Sequence, residues 1–230
     1  MQEQNPGPES PLAPGLALVF DMDGVIVDSN PVHRRAWAEF NRRYGLETTD
    51  AMQERMYGRR NDEIVRDFFG PDLSVEEIAA RGHSKEALYR DILASGVEEI
   101  LVPGVRQFLA RYRGVPQALA TNAEPENVQF VLDQAQLRNY FRVVVDGRQV
   151  RNPKPHPDIY LCAAIRLGVA PANCIVFEDS PTGVEAARAA GARVVGILTT
   201  YDNLNHTHLR VDNFLSGVLT SWLADQSVAD

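Results

Sequence analysis

Val19-Phe20-Asp21-Met22-Asp23-Gly24-Val25-Ile26-Val27-Asp28-Ser29 is the stretch whose reading decides the fold of this 230-residue chain. Just before it, Leu16-Ala17-Leu18-Val19-Phe20 is an unbroken apolar run of strand length, the pattern of a strand buried on both faces of a parallel sheet. Two carboxylates then stand two residues apart where the strand should end, and Gly24 allows a turn. Open parallel α/β sheets bind ligands beyond the carboxyl ends of their strands, so chemistry is expected here. A carboxylate there can act as a nucleophile, a hard-metal ligand or a general acid/base. Alone, the pair also reads as an acidic turn.

Downstream of Ser29 the apolar positions change period. Asn30 as cap and Pro31 at the first helical position open a helix, carried by Val32, Ala36, Phe40 and Tyr44 and stopped at Gly45. Met52–Tyr57, Asn61–Phe69 and Ser74–Leu93 follow as further helices, with a capping box from Ser74 to Glu77. No convincing strand interrupts them before about residue 100. An all-helical block inserted after the first strand of an α/β chain predicts a lid.

From Leu101 the alternation resumes. Gln117–Ala120, Arg142–Val145, Cys174–Phe177 and Val194–Leu198 read as strands. Helices are expected from Val105, over Pro125–Gln136, over Asp158–Leu167 up to Gly168, from Ser180-Pro181 to Gly191, and over Phe214–Ala224. The alternation predicts a Rossmann-like parallel-sheet core with helices on both faces and right-handed crossovers. The expected organisation is a disordered tail over residues 1–14, an α/β catalytic core over 15–29 and 101–230, and a helical cap over 30–100.

Three further predicted strand ends carry polar groups suited to phosphate chemistry. Thr121-Asn122 follows the second core strand, ahead of a helix start whose amides can hold phosphate oxygens. Lys154 lies in the proline-rich loop Asn152-Pro153-Lys154-Pro155-His156-Pro157, and Glu178-Asp179 closes another apolar strand. Taken singly, these are a helix cap, a loop lysine and an acidic turn.

Together, in this order, they resemble the four motifs of the haloacid dehalogenase-like hydrolase superfamily. The first motif, an apolar run then Asp-x-Asp-Gly-x-x-x-Asp-Ser, is met at every position from Asp21 to Ser29. Phe177-Glu178-Asp179-Ser180-Pro181-Thr182-Gly183 resembles the fourth. The likeness runs from about Leu16 to Leu198. It implies that Asp21 attacks phosphorus to give an aspartyl-phosphate, with Asp23 as general acid and then base. It implies Mg²⁺ held by Asp21, the Asp23 backbone carbonyl and Asp179, with Glu178 close behind, and Lys154 and Thr121 on the phosphoryl oxygens. The second aspartate separates the chain from the dehalogenases proper.

The insertion resembles the cap of the phosphoglycolate phosphatase and β-phosphoglucomutase branch, with His33 and Trp37 spaced to face the cleft and Arg59 and Arg60 as lid candidates for substrate anions. The mutases of that branch bind a second phosphate with a cap lysine and a Ser-Lys pair. Here those positions hold Tyr57, before Gly58, and Ala123-Glu124. An acidic side chain there opposes a bisphosphate intermediate, so a phosphatase is expected, with a mutase as the rival. A receiver-like phosphoacceptor needs neither Asp23 nor a lid.

Composition sets outer limits. Hydrophobic residues make up 44% and charged residues 23%, ordinary for a globular chain. A net charge of −8 disfavours nucleic acid and anionic membrane as partners, leaving a small phosphorylated metabolite. Cys162 and Cys174 sit among apolar neighbours and suggest free thiols. No run is long enough to span a membrane, and the Pro/Gly/Glu-rich start is unlike a secretory signal, so a cytoplasmic location is expected. Nothing in the sequence demands more than a monomer, or selects one phosphate ester.

Overall fold

Why the core is a parallel sheet is clear from its central strands, which are wholly buried on both faces. In a computed structural model of the chain, describing residues 12–57, 59–94 and 96–228, six strands form one parallel sheet. They are β1 (Ala17–Phe20), β2 (Gln117–Ala120), β3 (Val143–Val145), β4 (Cys174–Glu178), β5 (Arg193–Ile197) and β6 (Leu209–Val211). The order is β3-β2-β1-β4-β5-β6, which puts β1 between β2 and β4, where the topology switches direction. β6 was not expected. It is a three-residue edge strand with an exposed Arg210 at its centre, too short and too polar to show alternation.

Two apolar layers cover the sheet. One centres on Phe20, stacked on Phe177 at 4.7 Å and flanked edge-on by Phe108 and Phe141. The other joins Val19, Val176 and Val194 to Ile159, Tyr160 and Ala163. The predicted tail over residues 1–14 needs correction at its end: Leu12 is buried in the first layer, because it packs beside the start of β1. Residues 1–11 lie outside the described residues.

Among the described residues, four α-helices stand between β1 and the rest of the core, α1 (Asn30–Arg43), α2 (Asp50–Glu54), α3 (Asn61–Phe69) and α4 (Val75–Leu93). Trp37, Phe40, Met56, Ile64, Val65, Phe68 and Ile78 give them an apolar core of their own. Ser29, not Asn30, is the N-cap of α1, since the His33 amide bonds to the Ser29 carbonyl at 2.9 Å. The connecting segments run side by side: Asp28 N donates to Ile100 O at 2.7 Å and Val102 N to Ile26 O at 3.0 Å. The helical block therefore leaves and rejoins the core at one place, as a hinged lid would.

The core helices are α5 (Val105–Arg111), α6 (Pro125–Gln134), α7 (Asp158–Leu167), α8 (Pro181–Ala189) and α9 (Gly217–Ala224). α9 starts three residues later than its apolar pattern suggested, because Phe214 N is bonded to Pro103 O and Phe214 packs into the core ahead of the helix. No helix among the described residues is long and apolar enough to cross a membrane.

Candidate active site

Strand register assembles the site. Phe20 of β1 is level with Leu119 of β2 and Phe177 of β4, so the next residues, Asp21 and Glu178, emerge side by side with Thr121 one step further on β2. Gly24, at φ +75°, turns the chain back over this edge. A Cβ there would fall 1.8 Å from Asp179 Oδ2, so only glycine lets the turn pack against that carboxylate. Gly183 plays the same part on the other side, since its Cβ would overlap the Glu178 carboxylate.

Lys154 reaches this edge from the loop after β3. Its amide donates to Asn122 Oδ1 at 3.3 Å, tying the loop to the turn after β2. Its ammonium lies 2.9 Å from Asp21 Oδ1 and 2.6 Å from Glu178 Oε1, almost wholly buried. Burial works against that charge, but Asp21 and Glu178 hold the ammonium well above the ordinary lysine range. Thr121 is buried, and its hydroxyl accepts from the Ala123 amide at 3.1 Å, shaping the turn into α6.

Glu178 is fully buried and more tightly held than its sequence position suggested. Besides Lys154 it accepts from the Tyr160 hydroxyl, from the Asp179 and Ser180 amides, and from Ser180 Oγ. Asp179 accepts from Thr200 Oγ1 and, at 3.4 Å, from Asn30 Nδ2. Asp21, Glu178 and Asp179 place one carboxylate oxygen each within 4.8 Å of one another. Burial, then the charges of Glu178 and Asp21, push Asp179 well above the carboxylate range. Burial likewise drives Asp21 up to about 7 against the pull of Lys154. Three buried carboxylates facing one ammonium lack positive charge, and an all-oxygen donor set of this size suits a hard divalent cation. The Asp23 side chain is not part of this group; it turns toward the lid.

That turn leads into a buried polar chain. Asp23 Oδ1 accepts from Ser29 Oγ at 2.5 Å and lies 3.5 Å from His33 Nε2. His33 Nδ1 is 2.7 Å from Lys85 Nζ, and the imidazole is stacked on Tyr89 at 4.0 Å. Lys85 in turn pairs with Glu86 at 2.9 Å, and Glu86 accepts from Asn61 at 2.7 Å and from Asn127 at 2.6 Å. Burial raises the Asp23 carboxyl, but His33 and Ser29 outweigh it and hold the group below the usual range. Glu86 is brought down to about 2, because the Lys85 ammonium and His33 overcome its burial. The chain runs from β1 through the lid to α6 and so spans both sides of the cleft.

Of the residues singled out by sequence, Asp21, Asp23, His33, Arg59, Thr121, Asn122, Lys154 and Asp179 line one cleft between lid and sheet. Glu178 sits just beneath it. Arg59 lines the cleft, but its guanidinium is turned to Asp67 at 3.1 Å and to the carbonyls of Arg55 and Glu63, a geometry that does not favour the expected anion contact. Arg60 crosses the cleft to the carbonyls of Gly147 and Val150. Gly58 lies outside the described residues. Sequence reasoning missed Lys85, Glu86, Asn127 and Tyr160. One signal was present: Gly82 in the middle of α4 marks a close approach, its Cβ position being 3.1 Å from Asn61 Cβ.

A switch-point cleft with two aspartates after β1, a lysine, and an acidic pair after β4 defines a lidded α/β protein with an acidic site at its sheet edge. The sequence profile of the haloacid dehalogenase-like hydrolases matches residues 16–191, and the chain belongs to that family. Its relatives include a fructose-1-phosphate phosphatase of Escherichia coli strain K12, 35% identical over 78% of this chain and 95% of that protein. A phosphorylated carbohydrates phosphatase of Thermotoga maritima is 35% identical over 79% of this chain and 85% of its own. Among solved structures, a β-phosphoglucomutase from Clostridium difficile superposes with a TM-score of 0.81 at 26% identity, covering 91% of this chain and 96% of that one.

Proposed function

We propose that this protein is a Mg²⁺-dependent phosphatase that hydrolyses small phosphorylated sugars through an aspartyl-phosphate on Asp21. The observation that carries this reading is the contrast between its two aspartates. Asp21 is paired with Lys154 on the sheet side, while Asp23 is held by Ser29 and His33 on the lid side. One carboxylate is placed for attack and the other for proton transfer. The relatives named as phosphatases of fructose 1-phosphate and of phosphorylated carbohydrates support the substrate class.

In the first step Asp21 attacks phosphorus and the leaving oxygen takes a proton from Asp23. Approach of the phosphate dianion raises the proton affinity of Asp23, which favours its acid form at that moment. In the second step Asp23, ionised beside His33, draws a proton from water, which attacks the acyl phosphate and frees Asp21. Lys154 and the hydroxyl and amides of the Thr121 turn bind the phosphoryl oxygens as charge moves onto them. Mg²⁺ held by Asp21 and Asp179 would offset the repulsion between carboxylate and phosphate. Asp23 reports on the lid through His33 and Lys85, so lid closure orients the acid/base.

The test is release of inorganic phosphate from fructose 1-phosphate, glucose 6-phosphate and glucose 1-phosphate, with Mg²⁺ and with excess chelator. Many turnovers with Mg²⁺, lost on chelation, are expected. A single labelling event would mean a phosphoacceptor. Interconversion of glucose phosphates without net phosphate release would mean a mutase. Full activity in chelator would overturn the metal assignment.

A further inference from the structure

We infer that the cleft selects phosphate esters whose alcohol is uncharged and rich in hydroxyls, and rejects those whose alcohol carries a second phosphate or a carboxylate, with Glu124 as the discriminating residue. The inference rests on the phosphatase reading and concerns what else the substrate carries. Binding a second anion calls for an ammonium with free protons or an open guanidinium fork. The cations that line this cleft are Arg59, Arg60, Lys85 and Lys154. Lys154, paired with Asp21 and Glu178, serves the transferred phosphoryl group, and Lys85 is held by Glu86 and His33. Arg59 is turned to Asp67, and the Arg60 fork is closed on two backbone carbonyls. Both bonds use Nη2, the nitrogen shared by the two bidentate faces of the guanidinium, and what Arg60 leaves is a buried Nε–H with no partner among the described residues and its Nη1 protons, single contacts for hydroxyl or carbonyl oxygens.

The start of α6, which would otherwise offer a second anion site beside the Thr121 turn, is pre-empted. The turn from Thr121 into α6 ends at Glu124, the N-cap of a ten-residue helix, where amides and helix dipole favour a negative group. Glu124 itself brings that negative charge and lines the cleft. Its partner is Arg148, 2.7 Å away and more than half exposed, from the loop that leads to Lys154. A bisphosphate would face the Glu124 carboxylate with only this solvated arginine to compensate. The rest of the wall suits a polyol: the hydroxyl of Tyr57 and the amides of Asn61 and Asn127, each of which gives one N–H to Glu86 and keeps the other, beside the apolar faces of Trp37 and Met56. The same chemistry would exclude phosphoglycolate.

The experiment compares kcat/KM for fructose 1-phosphate with fructose 1,6-bisphosphate, glucose 1-phosphate with glucose 1,6-bisphosphate, and both monoesters with phosphoglycolate, at fixed salt. Each neutral-alcohol ester should be preferred by about tenfold or more, a like-charge penalty of ~1.4 kcal/mol. Glu124→Gln should narrow that ratio. Arg148→Ala, which strips the carboxylate of its partner, should widen it. A change in shape alone would not move the two variants in opposite directions. Affinities of Asp21→Asn for the same pairs, by calorimetry, give a readout that needs no turnover. A preference in binding with no turnover by the wild type would sink the phosphatase and support the selection. Equal or better use of the bisphosphates, or both variants shifting the ratio the same way, would overturn the inference alone.

Discussion

Replacing Lys85 by Met removes one ammonium from the buried chain while keeping most of the side-chain volume. In the wild type the Glu86 carboxyl is drawn from its ordinary 4.5 down to about 2, with Lys85 the largest favourable partner. A folded-state value below the unfolded one contributes stability that is complete above about pH 4.5 and is lost as pH falls toward 2. A shift of that size corresponds to ~3 kcal/mol, in line with ~3–5 kcal/mol for breaking a buried ion pair. In Lys85→Met the burial of Glu86 is no longer opposed, and its carboxyl should rise above the unfolded value. Unfolding in urea, followed by Trp37 fluorescence in a Trp222→Phe background, should show a loss of ~3 kcal/mol at pH 7 that narrows clearly near pH 4. An equal loss at both pH values would mean that shape, not charge, holds the lid together. No loss at pH 7 would refute the reasoning outright.

Gly183→Ala should displace the Glu178 carboxylate, since the added Cβ would lie 1.8 Å from its oxygen. Weaker Mg²⁺ binding by calorimetry is expected, with a loss of stability of at least ~1 kcal/mol from the disturbed buried network. Asp23→Asn should lower kcat by ~10²–10⁴-fold for alkyl phosphates, and by less in the first step for aryl phosphates with good leaving groups, as burst kinetics will read. His33→Ala should lower kcat in the same direction as Asp23→Asn by less, with a shifted pH–rate profile, because it removes a hydrogen-bonded neighbour rather than the acid/base.

The core and the centre of the site were legible because each functional group there stands at the end of an apolar strand. Asp21, Thr121 and Asp179 follow β1, β2 and β4, and parallel register then brings them together without further information. Lys154 was readable from the prolines around it. The lid network was not. His33, Lys85, Glu86 and Asn127 come from three helices, and their pairing depends on how α4 packs on α1 and α6. A lysine and a glutamate on a long polar helix look like solvated residues until that packing buries them. The surroundings of Arg59 were hidden for the opposite reason, since an arginine near a glycine in a lid looks free until Asp67 is seen beside it. β6 was lost to its brevity.

The most direct measurement is the site of phosphorylation after a rapid quench with fructose 1-phosphate and Mg²⁺, read by mass spectrometry of the intact peptides. Phosphate should appear on Asp21 in the wild type and persist longer in Asp23→Asn, where water activation is impaired. It should be absent in Asp21→Asn. Phosphate on Asp23, or wild-type turnover by Asp21→Asn, would contradict the assignment of nucleophile and acid/base on which the proposed reaction rests.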